Sequence, residues 1–371
     1  MNLYWLVLTV LLQNCSAKRL ICYYGSWNAY REGSNEFSIE NVPVKLCTHV
    51  IYSFLGLGYD GSVEILDPSV DEELDGFNKT LALKKLNKNL KVMIAIGGGS
   101  FDQSIFADLI SDPELINTTI NSIVEFLTVY PFDGVDLDWE FPGEDDRANL
   151  VTFVTALKKR FSKMKPKRLL TAAVTADPEV AALGYDMKKL IKSLDWVHVM
   201  SYDFHSYEDG ETGLNAQLYN KTAGSSVDAT VKYWKKNGVP VAKLVVGIPL
   251  YAKSYTLTDS SAHGLGDSVD GAGSTGTISE SEGKLNFLEY CSYFDATSGW
   301  ITVDNSSLQA SYAYKDDQWI SFDSYNNYIA KAKYAKKLGG AMVWEIGGDD
   351  YNGLYCKKGK YPVLTLLFKN L

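Results

Sequence analysis

The sequence predicts an α/β protein: a (β/α)8 TIM barrel with a small α+β insertion domain between strands 7 and 8. Three observations point to it. Eight short apolar runs recur along the 371 residues, and most are separated by segments with helical periodicity. The runs are close to continuously hydrophobic, as strands buried on both faces are, which indicates a parallel sheet. No glycine-rich phosphate loop follows the first run, which favours a closed barrel over an open doubly wound sheet.

Taken in order, residues 1–17 read as a secretory signal. Their apolar stretch, 3–12, is too short to span a bilayer, and Cys15-Ser16-Ala17 supplies small residues before a cut. The protein is therefore expected to be secreted and extracellular. The barrel is expected over 18–255 and again over 320–371, with strands at 19–24, 49–57, 91–98, 134–140, 169–176, 196–203, 243–251 and 340–346. Helical patterns stand out at 147–164, 227–236 and 325–338. The interval between the seventh and eighth strands is too long for one helix. Residues 256–319, rich in Ser, Gly, Asp and Tyr, with strand-like pieces at 299–303 and 311–314, read as the inserted domain.

Removal of the signal leaves Cys22, Cys47, Cys291 and Cys356. An even count in an exported chain suggests two disulfides. Of the three possible pairings, nearest neighbours in sequence are expected, Cys22–Cys47 and Cys291–Cys356, the second tying the insert back to the barrel. Asn78, Asn117, Asn220 and Asn305 lie in Asn-x-Ser/Thr sequons and are expected glycosylation sites. His49, His198, His205 and His263 are scattered and read as structural. Without clustered His or a Cys-x-x-Cys pair, no zinc site is expected. The net charge of −9 argues against nucleic acid and anionic membranes as partners. No segment after the signal has the length of a membrane helix. The chain is taken as a monomer without a cofactor.

Chemistry concentrates in Phe132-Asp-Gly-Val-Asp-Leu-Asp-Trp-Glu-Phe-Pro-Gly143. Side chains alternate along a strand, so Asp136, Asp138 and Glu140 share one face at a spacing of roughly 6–7 Å, while Val135, Leu137 and Trp139 take the other. Buried like charges raise one another's pKa, so the three are expected to retain a proton between them. Active groups of a barrel gather where strands end, which makes Glu140 the best placed general acid. Asp-x-Asp-x-Glu could also hold magnesium or calcium, but no phosphate-binding Lys, Arg or Gly-rich loop follows, and no metal is expected. Tyr202 and Asp203 close strand 6, Trp344 closes strand 8, and Tyr24 and Trp27 follow strand 1. Carboxylates ringed by flat aromatics suit a neutral sugar, whose apolar faces stack while its hydroxyls meet the acids.

These residues resemble glycoside hydrolase family 18, the chitinases, of the animal and arthropod type. The family pattern Asp-x-x-Asp-x-Asp-x-Glu is met at Asp133, Asp136, Asp138 and Glu140. Cys22-Tyr-Tyr, Ile96-Gly-Gly, Met200-Ser-Tyr-Asp, Gly247-Ile-Pro-Leu-Tyr251 and Gly340-Ala-Met-Val-Trp344 also agree, so the likeness covers the whole mature chain. The resemblance implies hydrolysis of chitin or N-acetylglucosamine oligosaccharides with retention and without an enzyme nucleophile. Glu140 would protonate the glycosidic oxygen, and the substrate's N-acetyl carbonyl would attack. Asp138 would stabilise the acetamido N–H and share a proton with Asp136 at rest, and Tyr202 would orient the carbonyl. Tyr23, Trp27, Gly98, Gly99, Phe141, Met200, Asp203, Tyr207, Tyr251, Lys253 and Trp344 would line the sugar site. The sequence departs from the family at three places. Gly99-Ser100-Phe101 stands where members commonly carry a Trp, Lys253 replaces an Arg whose bidentate contact it cannot reproduce, and Tyr207 replaces a Trp. A looser grip on long chains is implied, with the catalytic run intact. The alternatives are a catalytically weak or inactive chitinase-like lectin and an endo-β-N-acetylglucosaminidase acting on N-glycans. Lectin branches usually replace Glu140 or the Asp before it, and both are present here.

Overall fold

The computed structural model describes residues 18–220, 225–294 and 297–371; the expected signal segment lies outside them. Barrel strand 1 is Arg19–Gly25, strand 2 His49–Leu57, strand 3 Lys91–Gly97 and strand 4 Gly134–Asp138. Strand 5 is Leu169–Val174, strand 6 Trp196–Val199, strand 7 Leu244–Pro249 and strand 8 Gly340–Trp344. Each pairs in parallel with the next, and strand 8 returns to strand 1, closing the barrel. Helices of the outer layer include Pro113–Val129, Arg147–Phe161, Val227–Lys236 and Tyr325–Ala335. Several are started by the chemistry that orphan N–H groups demand: Asp112 accepts from the backbones of Glu114 and Leu115 ahead of Pro113, and Ser226 accepts from Ala229.

Alternation along the strands separates two cores. Leu20, Cys22 and Tyr24 pack outward under the helices, whereas Ile21 and Tyr23 fill the barrel. Strand 4 divides the same way: Val135 and Leu137 face the helices, which turns Asp136 and Asp138 into the barrel. The fold therefore places two carboxyls inside a closed ring of strands by period alone.

Strands 4, 6 and 7 stop at Asp138, Val199 and Pro249, short of the expected 140, 203 and 251. Once the ladder ends, the following residues turn over the barrel mouth and carry the site. The second sheet is antiparallel and is built from Tyr251–Leu257, Val269–Ala272, Lys284–Asn286, Ile301–Asn305, Ala310–Lys315 and Gln318–Phe322. Residues 251–255 and 320–322, read as barrel from their apolarity, pair in this sheet instead. The seventh apolar run is broken by a bend at Leu250, whose N–H donates to the Trp344 carbonyl at 2.9 Å. Cys22–Cys47 and Cys291–Cys356 are bonded as expected, with Cα separations of 6.0 and 5.4 Å. Asn78, Asn117 and Asn220 are exposed and Asn305 is half-buried. Among the described residues no helix is long and apolar enough to cross a membrane.

Candidate active site

Strand 4 distributes its acids over three depths. Asp133, before the strand, lies at the far end of the barrel from the mouth. It accepts from Lys84 at 2.9 Å and from the backbone of Val92, and so has a structural task. Asp136 is fully buried. Its oxygens accept from the Tyr23 hydroxyl at 2.5 Å and from the Thr171 hydroxyl, and His198 Nδ1, hydrogen-bonded to the Tyr23 hydroxyl at 2.7 Å, lies 3.1 Å from Asp136 Oδ1. The Trp196 indole N–H donates to His198 Nε2, which must therefore be bare, so the neutral ring carries its proton on Nδ1, toward Asp136 and Tyr23.

Asp138 has no such company. It is 3% exposed, and its buried Oδ1 has no hydrogen-bond partner. Burial, then the charges of Glu140 and Asp136, push its carboxyl well above the usual range. The two acids are thus served unequally: Asp136 accepts from the Tyr23 and Thr171 hydroxyls, whereas Asp138 Oδ1 accepts from none. Glu140, at the mouth, is pushed up to about 7 by burial and then by Asp203. Its backbone N–H donates to Gln103 Oε1 at 2.9 Å, and the Gln103 amide in turn binds the carbonyls of Gly98 and Phe101. Gly97 is required beside this turn: its φ is +107°, and a Cβ there would lie 2.3 Å from the Asp138 carbonyl oxygen.

Beyond strand 6, Tyr202 stands almost buried. Burial, then Asp138 and Glu140, hold its hydroxyl far above the ordinary phenol value, so it is a neutral donor. Asp203 adopts φ 57° and is fastened from both sides, by the Tyr251 hydroxyl at 2.7 Å and by Lys253 at 3.0 Å.

These groups open onto a cavity of about 660 Å³. Tyr23, Trp27, Gly99, Met200, Asp203 and Trp344 line it, together with Asp138, Glu140 and Tyr202. Trp344 meets Tyr23, Phe54 and Trp27 at ring-centroid distances of 5.4, 5.7 and 6.0 Å, forming one aromatic wall. A second cavity of about 460 Å³ shares Trp27 and Lys284 with the first and runs between residues 27–35 and 277–286.

Six expected residues lie elsewhere. Asp136 sits beneath the cavity, and Tyr251 and Lys253 stand one layer back, behind Asp203. The Gly98 N–H holds the Asp138 carbonyl. Phe141 is 37% exposed outside the cavity, because the chain turns outward after Glu140. Tyr207 packs against the Tyr255–Trp319 core of the second sheet, since the short helix Tyr207–Asp209 docks on the insertion. Conversely, Phe54, Phe101 and Lys284 line the cavity without having been foreseen. Phe54 could have been found from its place on strand 2, and His198 from its inward position two residues before Met200. Nothing in the sequence near the acids signals Lys284.

Residues 19–349 match the family described as Glycosyl hydrolases family 18. The chain belongs to this family. The family 18 protein is 36% identical to Chitotriosidase-1 of Mus musculus over 98% of this chain and 81% of the relative. Its fold superposes on the Group IV chitinase of Ostrinia furnacalis in complex with allosamidin with a TM-score of 0.91, at 33% identity, covering 95% of this chain and 98% of that one. It is also similar to human YKL-39, described as a pseudo-chitinase with retained chitooligosaccharide binding properties, with a TM-score of 0.89, 31% identity and 95% and 99% coverage. Chemically, the family 18 site offers a carboxyl poised to give a proton near neutrality, a deeper acid whose acceptor is unserved, and a neutral phenol lining the same cavity.

Proposed function

We propose that this family 18 protein is a secreted chitinase that hydrolyses β-1,4 linkages between N-acetylglucosamine units, with Glu140 as general acid and base. The observation that carries the reading is the raised pKa of Glu140, about 7, at the mouth of an aromatic cavity and above the buried Asp138, whose Oδ1 has no hydrogen-bond partner. A sugar whose apolar face rests on Trp344 presents its glycosidic oxygen to Glu140. Glu140 gives its proton to that oxygen as the bond to the anomeric carbon breaks, and the sugar's own acetamide oxygen bonds to the carbon, forming an oxazolinium ring. Two carboxylates acting as acid and nucleophile are not needed in this exception to the usual scheme. Asp138 Oδ1 accepts the acetamido N–H and offsets its growing charge, while Tyr202 donates to the acetamide oxygen and fixes its approach. Glu140, now a carboxylate, takes a proton from water as the water attacks the anomeric carbon; the bond from that carbon to the acetamide oxygen breaks, the acetamide is restored, and retention results.

The test is release of shorter oligomers from N-acetylchitohexaose, with Glu140→Gln as control. Wild-type turnover should exceed the variant's by about 10²–10⁴-fold. Tight binding without turnover would instead favour a chitinase-like lectin, and release of a high-mannose glycan from a glycoprotein with no action on the hexamer would favour an endo-β-N-acetylglucosaminidase.

A further inference from the structure

Lys284 belongs to the inserted sheet, where its strand runs beside Tyr251–Leu257 and its register partner is Lys253. Both lysines approach the Tyr251 ring, with Lys284 Nζ 4.3 Å from its centroid. Their circumstances differ. Lys253 is paired with Asp203 at 3.0 Å, and Asp203 also receives the Tyr251 hydroxyl. Glu345 faces Arg31 at 3.9 Å and accepts from the Gly347 N–H. Both nearby carboxylates are thus engaged, and among the described residues the Lys284 ammonium has neither a hydrogen bond nor an ion pair, although the backbone carbonyl of Lys284 accepts from the Ser279 hydroxyl at 3.0 Å. Burial lowers its pKa, outweighing the attraction of Asp203 and Glu345. A half-withdrawn ammonium held over an aromatic face still lacks an acceptor. It is also, with Trp27, one of the two residues common to both cavities.

We propose that Lys284 is a specificity-determining residue: its ammonium donates to the sugar spanning the junction of the two cavities and disfavours a de-N-acetylated, cationic sugar at that position. The inference rests on the reading of the cleft as a chitooligosaccharide site. Neutral sugars supply what the ammonium lacks, a hydroxyl or acetamide oxygen, whereas a protonated amine places a like charge beside it in a site partly shielded from water. The residue acts through choice of substrate and not through the bond that breaks.

The experiment measures binding to Glu140→Gln protein at pH 6 by titration calorimetry. The probes are fully N-acetylated chitotetraose and the set of tetramers carrying one de-N-acetylated unit each. One isomer, with its free amine at the junction, should bind at least about tenfold more weakly than the fully acetylated chain. Adding Lys284→Met should shrink that ratio to within about threefold, and Lys284→Arg, which keeps the charge, should preserve it. A structural role alone would weaken all tetramers equally and leave the ratio unchanged. That result, or the lack of any isomer sensitive to Lys284, overturns the inference while leaving the glycan reading intact. Failure of Glu140→Gln protein to bind any tetramer ends both.

Discussion

The raised pKa of Glu140 is a statement about both activity and stability. If Glu140 delivers the proton, its acid form is lost as pH rises through about 7, so kcat/KM for a chitooligosaccharide should fall on the alkaline side of that value. A rate that stays flat from pH 6 to pH 9 would exclude this role. In the unfolded chain the same carboxyl titrates near 4.5. Between these values the folded protein binds more protons than the unfolded one, so its stability is fully present below about 4.5 and declines as pH climbs to about 7. Glu140→Gln removes this penalty. The variant should match wild type in urea unfolding near pH 4 and exceed it by about 3 kcal/mol at pH 8. The acids themselves were legible in the sequence because strand period alone assigns Asp136 and Asp138 to one face. Their division of labour was not. It depends on Tyr23 and Thr171 arriving from strands 1 and 5 to serve Asp136, with His198 of strand 6 holding the Tyr23 hydroxyl, and on Asp138 being left without a donor.

At the scale of elements, the strands were easier to locate than to end. Apolar runs continue past the last ladder hydrogen bond, so 196–203 and 243–251 read as single strands although pairing stops at Val199 and Pro249. Hydrophobicity reports burial, and the residues beyond each strand remain buried under the insertion: Tyr251 is 3% exposed yet belongs to the other sheet. The insertion is tied to the barrel's last segment by Cys291–Cys356, which spans 65 residues of chain. Closing a loop of that length restricts the unfolded chain, and Cys291→Ser with Cys356→Ser should cost about 4 kcal/mol in denaturant unfolding under the chain-entropy estimate. A cost near zero would mean that the insertion is held by its packing alone.

For the molecule as a whole, the barrel and insertion share one core. Leu285, Phe287, Ile320 and Phe322 of the insertion belong to the same packed cluster as Ile248 and Val343 of the barrel. Only Leu250 separates strand 7 from the first strand of the second sheet. Neither part can lose its structure without exposing apolar surface of the other, so the protein should unfold in one cooperative transition, with far-UV circular dichroism and tryptophan fluorescence coinciding in denaturant. Two separated transitions would show that the insertion is an independent unit. The same contact closes one side of the cleft, since Lys284 reaches the cavity from the inserted sheet.

By itself the sequence determined the barrel, the presence of an insertion, the two disulfides and the inward row of acids, because each follows from local period, run length or a count of cysteines. Only the tertiary structure decided which aromatics face the cavity, where Tyr207 and Phe141 go, which acid is left without a donor and that Lys284 stands at the junction. These depend on directions taken after strands end and on approaches between segments far apart in the chain, and neither a period nor a spacing carries that information.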